Sequence, residues 1–168
     1  MSEEGTPTVA FNTKEDFADS REVHLSLGFR SPDLKPDEVS RILGLAPAYS
    51  FRRGDSFSTP AGERKRPFGV WVFSTEGFVV SDQVEAHLLA FLELFAPKAA
   101  AIQAIRGSSS VYADIRLTIR TDSKICVFGL ESSTMSKLAD FCDELTIGVF
   151  TDRKNLESPD EESWLRAN

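Results

Sequence analysis

Five cations frame one polar stretch of this chain: Arg52 and Arg53 precede it, and Arg64, Lys65 and Arg66 close it. Guanidinium and ammonium groups gathered at both ends of a loop can hold a phosphate, an acidic peptide or a nucleic-acid backbone. The stretch contains no Gly-rich Lys-Ser/Thr element ahead of a helix, which excludes a nucleotide phosphate loop. The plainer alternative is a solvated loop whose bases offset Asp55 and Glu63. A weaker set, Arg30, Tyr112, Arg116 and Arg120, falls on the polar alternates of two strand patterns. Exposed on a sheet, it could stack and bind single-stranded RNA, but such surfaces carry several aromatics and only Tyr112 is placed here.

Catalytic chemistry finds little footing. No Gly-x-Ser-x-Gly elbow occurs, and Asp114 among arginines reads as a surface ion-pair face. His24 falls on the polar side of a strand pattern and reads as solvated. His87 lies one residue off a helix stripe and reads as packing. Cys126 and Cys142 sit in apolar patterns and read as reduced core thiols. Two cysteines and two distant histidines make no zinc pattern, so neither metal nor cofactor is expected, and no catalytic residue is assigned.

Several elements must position these groups. Val23, Leu25, Leu27 and Phe29 alternate with His24, Ser26, Gly28 and Arg30, the period of a half-buried strand. Pro36, Asp37 and Glu38 open a short helix that Gly44 stops. Tyr49 to Phe51 is β-like, and residues 56–67 show no period and read as a long connection. Val70 to Phe73 is apolar on both faces, as in an interior strand, with Trp71 expected against the second helix.

That helix, with Ser81 or Asp82 as candidate cap, has Val84, Leu88, Phe91, Leu92 and Phe95 on one stripe and is interrupted at Pro97. Val111, Ala113, Ile115, Leu117 and Ile119 give the cleanest strand, and a hairpin turn at 121–124 leads into a further strand over 125–130. A third helix, capped by Ser132 or Ser133, and a last strand over 145–150 follow. The order β-α-β-β-α-β-β-α-β predicts an α+β fold, a largely antiparallel sheet with helices packed on one face.

At 168 residues the chain fits one domain. Residues 1–21 read as an acidic arm that could add a short edge strand at Val9-Ala10-Phe11. Residues 22–151 read as the domain, and 152–168 as a polar tail holding Trp164-Leu165. Of the net charge of −7, the first 20 residues supply −4 (five acids, one base) and residues 151–168 supply −2 (five acids, three bases). The nearly neutral middle disfavours nucleic acid, for which a domain-wide basic excess is expected. No run of about 18 apolar residues is present, so no membrane span is expected. The acidic start is unlike a secretory signal, which leaves the cytoplasm as the expected compartment.

Pro36-Asp-Glu-Val, Leu43-Gly-Leu-Ala-Pro47, Arg53-Gly-Asp55, Arg66 with Gly69-Val-Trp71, and His87-Leu with Leu92 and Pro97 occur in this order. Together they resemble a bacterial family catalogued as domain of unknown function 4279, over roughly residues 22–151. The resemblance implies a small bacterial α+β domain and supplies no activity, cofactor or catalytic residue. By analogy of class, such domains include immunity and interaction proteins. The resulting expectation is a non-enzymatic domain that binds another protein, one of acidic surface, through the basic loop. The competing expectation is a small enzyme, or a small-molecule or anion-binding protein.

Overall fold

Arg21–Ser31 forms β1, whose odd-numbered residues Val23, Leu25, Leu27 and Phe29 are buried in the main core. This strand lies at the centre of the sheet in a computed structural model that describes residues 21–108, 110–122 and 126–151. The helix Pro36–Leu43 (α1) follows. Its proline occupies the first turn, where a missing N–H is harmless, and Gly44 ends it at φ 64°, with its N–H on the Ser40 carbonyl at 2.8 Å.

Strands Tyr49–Phe51 (β2), Ser56–Thr59 (β3), Gly62–Lys65 (β4) and Gly69–Ser74 (β5) come next. Then the helix Val84–Phe95 (α2) runs through a 3-10 turn at Ala96–Lys98 into Ala99–Gly107 (α3). The interruption falls at Pro97, which cannot continue the α-helical hydrogen-bond ladder. Strand Tyr112–Thr121 (β6), helix Ser132–Ala139 (α4) and strand Glu144–Phe150 (β7) complete the order.

The main sheet runs β2-β5-β1-β6-β7, antiparallel throughout except for the parallel β6–β7 pair. One face carries the odd residues of β1 with Trp71, Phe73, Ala113, Ile115, Leu117 and Ile119, and the helices bury Val39, Leu43, Leu88, Phe91, Phe95, Ile102 and Leu138 against them. Each fully buried side chain of this size contributes roughly 1.5–3 kcal/mol. The fold is therefore α+β and largely antiparallel, as the sequence predicts, with two differences in element order.

Residues 56–65, which lack an apolar period, form the β3–β4 hairpin rather than an open connection. Its strands are polar because they lie outside the main sheet and cover no core. Residues 126–130 form no strand. Cys126, Phe128 and Leu130 pack half-buried against the core instead, in a segment without regular secondary structure that leads to α4. A parallel β6–β7 pair requires a crossover rather than a tight hairpin, and this segment with α4 supplies it. Ser123 to Ile125, the Val9–Phe11 patch and the Trp164–Leu165 pair lie outside the described residues.

Smaller expectations also shift. The caps of α2 and α4 are Gln83 and Glu131, neither with a capping side-chain bond, rather than the nearby serines or Asp82. Trp71 is fully buried, and its indole N–H donates to Ser40 Oγ of α1 at 2.9 Å, with the Phe29 ring 5.8 Å away. Its polar partner therefore lies on the first helix, not the second. The continuous helical run Val84–Gly107 is long and apolar enough to cross a membrane by length and composition. A core helix meets the same test, and Val84, His87, Leu88, Phe91, Phe95, Ile102 and Ile105 of this run are buried within the fold.

Candidate binding surface

The five loop cations divide into structural and projecting groups. After β2 the chain turns through Arg52–Asp55, where the Arg52 N–H donates to Asp55 Oδ2 at 2.7 Å and Gly54 sits at φ 89°. The Arg66 backbone closes the base of the hairpin: its carbonyl accepts the Gly54 N–H at 2.8 Å, and its N–H donates to the Asp55 carbonyl at 2.9 Å. The Arg66 side chain, only 7% exposed, lies between two rings, 4.1 Å from the Phe51 centroid and 4.0 Å from the Phe57 centroid. Phe51 belongs to the main sheet and Phe57 to the hairpin, so this guanidinium fastens one to the other. Arg66 is thus a buried anchor rather than a member of an open cluster.

Arg52 ion-pairs with Asp37 at the start of α1. Arg53, Arg64 and Lys65 are exposed, and Arg64 pairs in register with Phe57 while Lys65 pairs with Ser56. Successive residues point to opposite faces of a strand, so Arg64 and Lys65 present charge on both sides of the hairpin. The tip is tied by Thr59 Oγ1 donating to the Gly62 carbonyl at 2.7 Å, with Gly62 at φ 114°, a backbone conformation that glycine adopts without strain. The result is a short, polar, basic arm held firmly at its root.

The weaker set occupies the sheet face opposite the main helical core. Strand register aligns Arg30 with Tyr112, Ser26 with Arg116, and Gly28 with Asp114 and Glu144. The Arg30 guanidinium covers the Tyr112 ring at 4.5 Å, the Tyr112 hydroxyl donates to the Glu144 carboxylate, and Arg120 reaches Glu22 at 3.7 Å. Tyr112 therefore has one ring face occupied and its hydroxyl tied, unlike an open stacking platform. The bond to Glu144 pushes the phenol pKa up to about 12 and holds the Glu144 carboxyl below its usual range. At the β2–β5 end the same face turns apolar, with Val70 and Val72 buried.

Asp114 is the group whose importance the sequence understates. It is buried rather than a surface ion-pair residue, and burial pushes its pKa up to about 6 against the opposing pull of Arg116 and Arg30. His24, expected in solvent, is also buried, and that burial lowers its pKa. His87 is a packing residue with a defined job. Its Nε2 faces the Ser81 carbonyl at 2.9 Å, and its Nδ1 meets Thr75 Oγ1 at 2.6 Å. Thr75 Oγ1 in turn accepts the Leu25 N–H at 2.8 Å. These partners assign the hydrogen to Nε2, leaving Nδ1 to accept from the Thr75 hydroxyl.

A groove of about 500 Å³ opens between α1 and α3, lined mainly by Leu34, Val39, Ile42, Ile105 and Val111, with Lys35 and Glu38 among its polar residues. Among the described residues no group of three or more His, Cys, Asp or Glu side chains could hold a metal ion. Cys126 and Cys142 are free thiols, and burial raises the pKa of Cys142.

The model of the family described as Domain of unknown function (DUF4279) matches residues 21–149, nearly the whole span from β1 to β7, and the chain belongs to that family. No curated protein and no solved structure matches it.

Proposed function

We propose that this domain is a non-enzymatic binding module whose β3–β4 hairpin is a pre-positioned basic arm for an acidic surface on another protein. The observation that carries the reading is the Arg66 wedge, which fixes the root of the hairpin while Arg53, Arg64 and Lys65 stay exposed. A fixed arm loses little conformational freedom on docking, so more of its contact energy appears as affinity. Its charges raise the encounter rate and set orientation more than they supply affinity.

The test uses a fluorescein-labelled poly-glutamate peptide as the acidic probe and measures anisotropy against salt concentration. Wild type is expected to bind at low salt and release as salt rises. The triple reversal R53E/R64E/K65E is expected to lose binding with an unchanged thermal melt, because exposed charges contribute little to stability. Equal binding by the triple variant would reduce the arm to a solvated turn.

A second reading, an anion-binding protein or small enzyme, is favoured by one observation: a buried carboxylate titrating near pH 6 beside Arg30 and Arg116. Such perturbed groups concentrate at functional sites, although structural charge networks produce them too. If this reading holds, inorganic phosphate raises the melting temperature, and Arg116→Gln removes that rise.

A further inference from the structure

Strand β7 forms one edge of the main sheet, and among the described residues it lacks the usual protections of an edge. It is seven residues long, against three for β2 at the opposite edge, and contains neither lysine, arginine nor proline. Its only charge is Glu144, at its first position. Ile147, Val149 and Phe150 are each 42% exposed. Edge strands are normally kept short, charged, bulged or covered, because their unpaired N–H and C=O groups offer a template for another strand.

We infer that β7 pairs antiparallel with β7 of a second copy of this chain, about a two-fold axis at Ile147. Among the described residues no strand pairs with the outer backbone of β7, which requires an extended segment as partner, and a second β7 offers an apolar residue opposite each of Leu145, Ile147 and Val149. With Ile147 opposite its own copy, Leu145 meets Val149, Thr146 meets Gly148, and Glu144 meets Phe150.

Leu145, Ile147 and Val149 are register neighbours of Ile115, Leu117 and Ile119, so they continue the helix-covered core face. The copy's own Leu145, Ile147 and Val149 would extend that apolar row across the junction. On the other face the Glu144 carboxylate meets an aromatic ring rather than a second carboxylate. No like charges are forced together, which is the pairing condition most easily violated when a strand meets its own copy.

The two five-stranded sheets would then join into one, with the helical layers on the same side. A two-fold contact of this kind is self-limiting, whereas β7 against the short β2 edge would continue into open filaments.

Sedimentation velocity of the full chain through the micromolar range tests the inference. The expected result is a concentration-dependent shift from the 18.6 kDa chain to twice that mass. Ile147→Lys places two ammonium groups together on the axis and is expected to give a monomer with unchanged Trp71 fluorescence. Leu89→Lys, on the exposed side of α2, is expected to leave the dimer intact. If Ile147→Lys fails to fold, hydrogen exchange of the wild type decides, with amides of Leu145 to Val149 gaining protection as concentration rises. A wild-type monomer throughout, a dimer that survives a folded Ile147→Lys variant, open-ended polymers, or β7 exchange independent of concentration would each overturn the inference.

Discussion

Arg66 shows how a residue's type can be legible while its role is not. In the sequence it is one of five bases around a loop, whereas in the fold its guanidinium is enclosed by Phe51 and Phe57. The two stacking contacts are each worth about 0.5–2 kcal/mol, with the upper end reserved for desolvated cations. Arg66→Ala is therefore expected to lower stability by about 1–2 kcal/mol and to open residues 56–65 to proteolysis. Arg66→Lys keeps the charge but loses the planar stack, and should recover only part of the loss. Arg64→Ala should leave the melt and the cleavage pattern unchanged. Melts with limited proteolysis of the three variants check this; an intact hairpin in Arg66→Ala would mean that the backbone bonds to Gly54 and Asp55 hold the arm alone.

Among the elements, β1 and β6 were the most readable, because each has one face in the core and shows it as a period of two. The β3–β4 hairpin was unreadable for the converse reason: its strands lie outside the main sheet, so selection for burial leaves no period. The segment at 126–130 has the composition of a strand but lies against the core, since the parallel β6–β7 pair leaves it the work of crossing over.

A different constraint fixes the start of β5. A Cβ placed on Gly69 would lie 2.5 Å from the Leu34 carbonyl oxygen, so the strand and the β1–α1 connection approach backbone to backbone. Backbone cannot move aside as a flexible side chain can. Gly69→Ala is expected to destabilise by about 1–3 kcal/mol, the range of an overpacked core substitution. Gly107→Ala, with nothing within 4 Å of the new methyl group, is expected to be near neutral. Chemical denaturation of the two variants checks the contrast; similar midpoints would show that the close approach relaxes at little cost.

For the whole molecule, Asp114 couples stability to pH. Burial pushes its carboxyl pKa up to about 6 from the 3.8 of a solvated aspartate, so the folded protein holds this proton more tightly than the unfolded chain does. The protonated acid therefore favours folding below the unfolded value, and that contribution is lost as pH rises through about 6. A displacement of this size corresponds to roughly 3 kcal/mol at full expression. Asp114→Asn, which cannot ionise, should gain stability relative to wild type between about pH 4 and about pH 8. Denaturant midpoints of the two proteins at both pH values measure the gap. A gap that stays constant, or narrows toward alkaline pH, would show that Arg30 and Arg116 fully offset the burial of the charge.

The sequence by itself determined the class of the fold and most of its core, because burial on one face of a strand or helix imposes a period that single residues report locally. It also determined that positive charge concentrates around residues 52–66. Only the tertiary structure decided how that charge is divided: Arg66 between two rings, Arg52 beside α1, Arg53 exposed in the turn at the root of the hairpin, and Arg64 and Lys65 exposed on the hairpin itself. It alone decided that Asp114 and His24, on a nominally polar sheet face, are buried, and that β6 and β7 run parallel. These outcomes depend on strand order and on contacts between residues far apart in the chain. Local periodicity encodes which face of an element is buried, but not which neighbour arrives to bury it.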